Sequence, residues 1–422
     1  MDDYHTKCEL PLPVLDVAYS GSHRVRILTD EHLYAALGLR IAFTSREGGV
    51  SKGAFASLNL ASHVNDNARD VQENRRRIAH VMGCTPEHVC VPNQIHSTRI
   101  MCVSSRSIDD FARLSANLEQ SSAFAQQSAL KNSPAYKTSA LCTTTVDCEK
   151  QIYSHGEQSL FDLLLFQLMD KAFRSIFLHN THIQDHFDRS FLSSDITQAF
   201  DVITPVKQAQ SMASNGFDAI VVDRADTCPL LCFADCLPVI IVSPTGRFAV
   251  VHAGWRGAYG QIASRAACAL ACLDALECIE RDTQKHGSCT CETLGATYLN
   301  TLFDTRAYVQ IMKGFLASYN IYIGPHISQE AFEVGDDVSS HFVAKFGAHC
   351  SNVANHVSLA RVVEDDVCGV GCCAQRIANA HQCTFMHPDL YFSYRHAHGV
   401  CGRIGALAYQ THASRNSNVK EC

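Results

Sequence analysis

The chain has 422 residues, 46% of them hydrophobic and only 18% charged, with a formal net charge of −7. Apolar residues suffice for a large core, and Gly (23) and Pro (11) are ordinary, which excludes collagen, a coiled coil and wholesale disorder. Mild acidity argues against a nucleic-acid partner, which calls for a Lys/Arg-rich face, but it leaves room for a small anion held by one or two arginines.

The opening stretch MDDYHTKCELPLPVLDV lacks the basic and apolar segments of an export signal. Residues 39–104 form the first densely patterned region. LRIAFTS reads as a strand, Glu47-Gly48-Gly49 as a turn, and Asp70 to Met82 as a helix with Val71, Ile78 and Val81 on one side. HVCVPN predicts a further strand. Residues 105–215 differ in character. They begin rich in Ser, Gln and Ala, then turn helical from Ser159, with Leu160, Leu163, Leu164 and Phe166 opening a wide apolar face. Asp162, Asp170, Lys171 and Arg174 interrupt that face and exclude a bilayer helix, so no membrane partner is expected.

Residues 216–272 hold two apolar runs, PLLCFADCLPVIIVSP and RFAVVHAGWRG, separated by the turn Pro244-Thr245-Gly246 and followed by an Ala-rich helix from about Tyr259. An irregular stretch, 280–310, precedes the third dense region, 320–412. This holds IYIGPHI, a segment leading to FEVG, and an expected C-terminal strand at LYFSYR. The two poorly patterned stretches, 105–215 and 280–310, read as insertions within a single domain of residues 1–422. The 21 cysteines are scattered, many in apolar runs (Cys228, Cys232, Cys268, Cys272), and read as reduced core residues of a cytoplasmic protein.

His96 in NQIHST, Cys236 in FADCLP and His252 in VVHAGWRG are the metal-ligand candidates. Cys236 and His252 occupy corresponding points of consecutive apolar runs, where neighbouring strands can place them side by side. Two imidazoles and a thiolate make a zinc set with a fourth position open, the pattern of catalysis rather than structure. Asp235 and Gln94 are candidate supports for these ligands. On spacing alone the same residues also read as a packed cysteine and a helix-capping histidine, since no CxxC or HExxH periodicity accompanies them. Trp255, the only tryptophan, reads as a core aromatic rather than a ligand-stacking surface, and Arg256 as structural. Gly48, Gly49, Gly254 and Gly324 read as backbone requirements. His179, His182 and His186 read as a polar helix end; Cys289, Cys291 and the group Cys368, Cys372 and Cys373 lack partners at zinc-finger spacing. Copper oxidation is rejected, because multicopper oxidases need several His-x-His pairs and this chain offers only His396-Ala-His398.

The strings FTSREGGVSKGAFASLNLASHVNDNARDVQENRRRI, NQIHST, FADCLPV, VVHAGWRG, YIGPHISQEAFEVGDDV, and FSYR followed by CGR resemble, in that order, the YfiH family, also called laccase-domain or multicopper polyphenol oxidase-like proteins. The resemblance implies an α+β fold, with mixed β-sheets stacked as a sandwich, helices outside and a large insertion. It places the family's zinc ligands on His96, Cys236 and His252. It implies phosphorolysis of adenosine, inosine and guanosine, cleavage of methylthioadenosine and deamination of adenosine, with purine nucleosides and inorganic phosphate as the ligands. A zinc ion makes water a usable nucleophile near neutral pH, as hydrolytic deamination requires. Arg46, between a strand and two glycines, suits bidentate phosphate or ribose binding. Arg395 and Arg403 in SYRHAHGVCGR are further anion candidates, and Asn59 and His63 of SLNLASH match polar positions of the family motif.

The chain departs from the family at three places: Ser97 replaces a glycine after the QxH histidine, Glu330-Ala331 a cysteine pair, and His396 a second arginine after SYR. Two rival readings belong to other classes. One is a cysteine hydrolase with Cys236 as nucleophile and His252 as base, acting on an amide or ester such as a cell-wall precursor. The other is a non-catalytic metal-binding partner protein whose interaction surface is the insertion.

Overall fold

A computed structural model describes residues 9–104, 203–205, 216–223, 226–285, 305–352 and 354–410. The helical pattern from Ser159, the histidines at 179, 182 and 186, and Cys289 and Cys291 lie outside the described residues. The chain divides into two compact units. One is built from residues up to Ser105, from Phe177 to Ala271 and from Lys313 onward, and it carries both sheets and the candidate site; the described parts of the other are 272–285 and 305–312.

Two mixed sheets form the larger unit. In the first sheet the strands β1 (Asp16–Ser20), β2 (Val25–Thr29) and β3 (Leu39–Thr44) are followed in space by β13 (Ile404–Gln410), β8 (Cys228–Phe233) and the short β4 (Val89–Cys90). The second sheet runs β12 (Ile377–Asn379), β11 (Asn320–Ile323), β9 (Leu237–Val242), β10 (Phe248–Ala253), β7 (Ala219–Asp223), β5 (Ile100–Ser104), β6 (Ile203–Pro205). Their alternating side chains explain the stacking. Ile41, Phe43, Leu231 and Phe233 of the first sheet share one buried cluster with Ile220, Ile240, Phe248 and Val250 of the second. The opposite side chains of the first sheet, Ile27, Ala42, Leu230 and Leu407, pack with Ile78, Val81 and Met82 of helix α2 (Ala68–Met82). Strands β9 and β10 are buried at every position, as continuous apolar runs demand. The fold is therefore α+β with stacked mixed sheets, as the resemblance implies.

The remaining described helices are α1 (Glu31–Leu37), α3 (Trp255–Tyr259), α4 (Ile262–Lys285), α5 (Thr305–Ser318), α6 (Asp336–Phe346) and α7 (Leu359–Gly369). Helix α2 is closed at its start by the Asn67 side chain, which accepts from the Arg69 amide at 2.9 Å, and at its end by Gly83 in a left-handed conformation. No helix among the described residues is long and apolar enough to cross a membrane. Cys228, Cys232, Cys350, Cys372 and Cys383 are buried thiols, in line with their reading as core residues.

Two expectations are corrected. LYFSYR is not a strand: residues 390–395 are irregular backbone between turns, with Tyr391 and Phe392 buried, and the C-terminal strand is β13, fourteen residues further along by its first position, Ile404. The apolarity of that segment serves anchoring of a loop, not a ladder. HVCVPN contributes only the two residues of β4, because Pro92 cannot donate a ladder hydrogen bond.

Candidate metal centre and adjoining cavity

The run PLLCFADCLPVIIVSP splits into β8 and β9, which belong to different sheets, and Cys236 occupies the turn where the chain changes sheet. The preceding Asp235 takes φ +87°, a conformation costing about 1–3 kcal/mol for a non-glycine residue, so its surroundings must hold it. They do. Its carboxylate accepts from Thr384 Oγ1 and from the Arg395 amide, both at 2.7 Å, and its carbonyl accepts from the Ile327 amide at 3.0 Å. Asp235 therefore ties three loops to the turn that presents Cys236 and does not touch the ligands through a hydrogen bond of its carboxylate. Gln94 likewise acts on the backbone: its amide exchanges bonds of 2.9 and 2.7 Å with the Cys232 peptide, fastening the His96 loop to β8.

His252 ends the inward stripe Phe248, Val250 on β10 and lies 5.2 Å from the Phe233 ring. His96 sits on its loop at φ +59°, with its ring edge-on to His252 at 4.9 Å. The ligating atoms of His96, Cys236 and His252 all lie within 4.8 Å of one another, and no other such group occurs among the described residues. The sequence pattern did not mark the residue that organises them. Asp218, fully buried just before β7, accepts from His252 Nδ1 at 2.8 Å, from the His96 and Ser97 amides at 3.1 and 2.6 Å, and from Ser97 Oγ at 2.7 Å. Its bond to Nδ1 leaves His252 Nε2 for a metal. Ser97, the departure from the family's glycine, adds a hydroxyl to this support.

The electrostatics agree with a ligand set. Burial pushes the Cys236 thiol up, but the His252 and His96 rings outweigh it and bring the thiol to about 6. Burial lowers His252, while the Cys236 thiolate and Asp218 lift it to about 9. Burial alone would raise Asp218; its bonds to His252 and Ser97 hold it below the usual carboxylate range. A deprotonated thiol beside two imidazoles, one oriented by a buried carboxylate, fits a borderline-soft ion such as zinc.

Gly254 is where a backbone approach is required. A Cβ there would stand 3.1 Å from His96 Cδ2 and 3.2 Å from Cys236 Sγ. Gly254→Ala is expected to crowd the ligands at a cost of about 1–3 kcal/mol, visible as weaker zinc retention in dialysis against chelator. Unchanged retention would mean that the ligands accommodate a methyl group freely.

Trp255 corrects the core-aromatic reading. It is half-buried at the start of α3 and lines a cavity of about 490 Å³ with Phe332, Glu333, Val334, Gly335, Val338 and Arg395. Arg256 is exposed and stacks on the Trp255 ring at 4.2 Å. Arg395 donates to the Glu333 carbonyl at 2.9 Å from the cavity wall. Arg46 braces two loops: its Nε donates to the Ala56 carbonyl at 2.7 Å, its Nη1 to the Pro388 carbonyl, and its guanidinium lies over Phe392 at 4.5 Å. Asn59 does not face a pocket; it is fully buried, with its amide spent on Ala61, Asp66 and the Arg403 amide. Arg403 folds Nη1 onto the Cys401 and Gly402 carbonyls at 2.8 and 2.9 Å, and His63 is exposed nearby.

Comparison with known proteins shows what the chain resembles. The chain is 21% identical over 388 residues to a Bacteroides thetaiotaomicron protein named purine nucleoside phosphorylase, covering 90% of this chain and 94% of the relative. A Corynebacterium glutamicum protein of the same name is 39% identical over 71 residues, 17% of this chain and 29% of the relative. The Geobacillus stearothermophilus protein named purine nucleoside phosphorylase YlmD is 25% identical over 227 residues, 54% of this chain and 48% of the relative. The matched stretches thus span less than two thirds of the length of the latter two relatives. The crystal structure of YlmD from Geobacillus stearothermophilus superposes with a TM-score of 0.51 at 19% identity, covering 94% of this chain and 100% of that one. The Bacillus licheniformis hypothetical protein YfiH superposes with a TM-score of 0.50 at 16% identity, covering 91% and 96%. The sequence pattern of the family described as multi-copper polyphenol oxidoreductase laccase matches residues 40–155, 179–280 and 305–411. The chain belongs to that family.

Proposed function

We propose that this chain is a zinc-dependent purine nucleoside phosphorylase acting on adenosine, inosine and guanosine, and on methylthioadenosine, with a second, hydrolytic activity that deaminates adenosine. The observation that carries the reading is the His96, Cys236 and His252 cluster; a cavity of about 490 Å³ lined by two aromatic rings and an arginine adds to it, because Trp255 follows Gly254, which stands against the ligands, and the Arg395 amide bonds to Asp235 next to Cys236. The names of the relatives support the substrate class. His96, Cys236 and His252 would hold the metal, which supplies Lewis acidity. Trp255 and Phe332 offer faces on which a purine stacks, and Arg395 offers cationic donors beside them. In phosphorolysis a phosphate oxygen bonds to the ribose anomeric carbon as the bond to the purine nitrogen breaks; the electron pair leaves with the base, which then takes a proton. In deamination water adds to the purine ring and ammonia departs. Arg403 and Arg46 remain the phosphate or ribose candidates from the family pattern, and His63 a polar neighbour of the site; Asn59 serves by fixing the Arg403 backbone.

A cysteine hydrolase has one observation in its favour: Cys236, His252 and Asp218 form a thiol, base and orienting carboxylate. It leaves unexplained why a second imidazole, His96, is held in a left-handed conformation against the same thiol. Chelation separates the two readings. Metal removal is expected to abolish product formation from adenosine or inosine and added zinc to restore it, while zinc shields Cys236 from iodoacetamide. Activity that survives chelation and is lost on alkylation of Cys236 would establish the hydrolase instead.

A further inference from the structure

Helix α2 ends in a Schellman turn: Gly83 is left-handed, and the Cys84 amide closes onto the Ala79 carbonyl at 3.0 Å. The turn lays Cys84 against the apolar cluster that α2 shares with the first sheet, in which Cys228, the first residue of β8, is fully buried. The chain then returns through β4, whose Val89 pairs with Cys228 itself. Two cysteines far apart in sequence are so brought side by side, thiol hydrogen-bonded to thiol. The nucleoside chemistry proposed above uses neither.

The two thiols differ as a reacting pair must. Cys84 is half-buried, whereas Cys228 has no access to solvent. Contact with Cys228 is the largest influence on Cys84 and brings it below the ordinary thiol range, against its burial. Burial first, then the same contact, push Cys228 well up. The hydrogen bond therefore runs from the Cys228 S–H to the Cys84 sulfur, and the accessible member carries the thiolate character. Asp226 opposes a negative charge at Cys84, but its carboxylate is already engaged, Oδ2 by His88 Nε2 at 3.0 Å and Oδ1 by the Tyr409 hydroxyl. An accessible thiol of lowered pKa with a second thiol in contact is the arrangement that peroxides oxidise selectively.

We propose that Cys84 and Cys228 form an oxidation site, which a hydroperoxide converts to a disulfide joining the end of α2 to β8. The Cys84 sulfur attacks one peroxide oxygen: an S–O bond forms, the O–O bond breaks, and the departing hydroxide takes the thiol proton and leaves as water. The Cys228 sulfur then attacks the Cys84 sulfur: the S–S bond forms, the S–O bond breaks, and the hydroxyl leaves as water with the Cys228 proton. The thiol pair loses two electrons and the peroxide is reduced to two waters; a dithiol reductant reverses the link. The disulfide tethers α2, whose Asn74 side chain holds the backbone of Val50, Ser57 and Asn59, to the strand that leads to Cys236. Nothing in the site depends on the nucleoside reading.

The test treats the zinc-loaded full chain with one equivalent of hydrogen peroxide, alkylates the remaining thiols and maps the peptides by fragmentation mass spectrometry. Wild type is compared with Cys84→Ser, Cys228→Ala and Cys90→Ser. The wild type should show a Cys84–Cys228 cross-link that dithiothreitol removes. In Cys228→Ala, Cys84 should stop at the sulfenic acid and pass on to the sulfinic acid; in Cys84→Ser, Cys228 should stay a reduced thiol. Cys90 is the other buried thiol that acts on Cys228, and Cys90→Ser should keep the cross-link. Cys84 should react about tenfold or more faster than Cys90, whose thiol burial pushes up to about 11. A wild-type protein in which Cys84 stays reduced while other thiols oxidise would overturn the site, as would sulfinic acid at Cys84 without the cross-link, or Cys228 joined to Cys90. If Cys228→Ala does not fold, wild type and Cys84→Ser decide the question.

Discussion

Cys236→Ala is expected to abolish zinc retention and nucleoside turnover together, with turnover falling on the order of 10³-fold, the scale of several kcal/mol of lost Lewis-acid stabilisation. The thiol is the one anionic donor of the three, and at about 6 its pKa makes it a thiolate at neutral pH. Alanine leaves two imidazoles, a weaker and less specific pair. The residue is half-buried in a turn whose conformation is held by Asp235, so the fold should survive. Metal analysis and a thermal melt on the same preparation check both parts. A Cys236→Ala protein that binds one zinc and turns over normally would remove the thiolate from the site.

Asp218→Ala should weaken zinc binding by about 10–100-fold, the range seen when a carboxylate behind a ligating histidine is removed. It also removes the acceptor of the His96 and Ser97 amides, so a lower melting temperature should accompany the loss. Asp218→Asn, which keeps an acceptor, should recover stability better than affinity. Competition with a chromogenic chelator measures the affinity; wild-type affinity in Asp218→Ala would show that strand geometry alone positions His252.

The three candidate ligands were legible mainly because their flanking strings resemble a known family; spacing alone left them open as a packed cysteine and a helix-capping histidine. Asp218 was not, since its role arises when β7 pairs with β10 and brings the His252 amide to the Asp218 carbonyl at 2.7 Å across 34 positions of sequence. Its one signal is a carboxylate directly before the fully buried run AIVVD. Trp255 misled for a related reason: flanking small residues suit a core aromatic, but here Gly254 is small to admit the ligands, and the ring turns to the cavity. LYFSYR carries the composition of a strand, yet Tyr391 is spent on Arg26 and Gln382 and the following backbone on Asp235.

The most direct test of the central claim is product analysis on the zinc-loaded chain given inosine, with and without inorganic phosphate. Free hypoxanthine and ribose 1-phosphate formed only when phosphate is present, and lost in Cys236→Ala, are the predicted result. No base release from a protein carrying one equivalent of zinc would contradict the account.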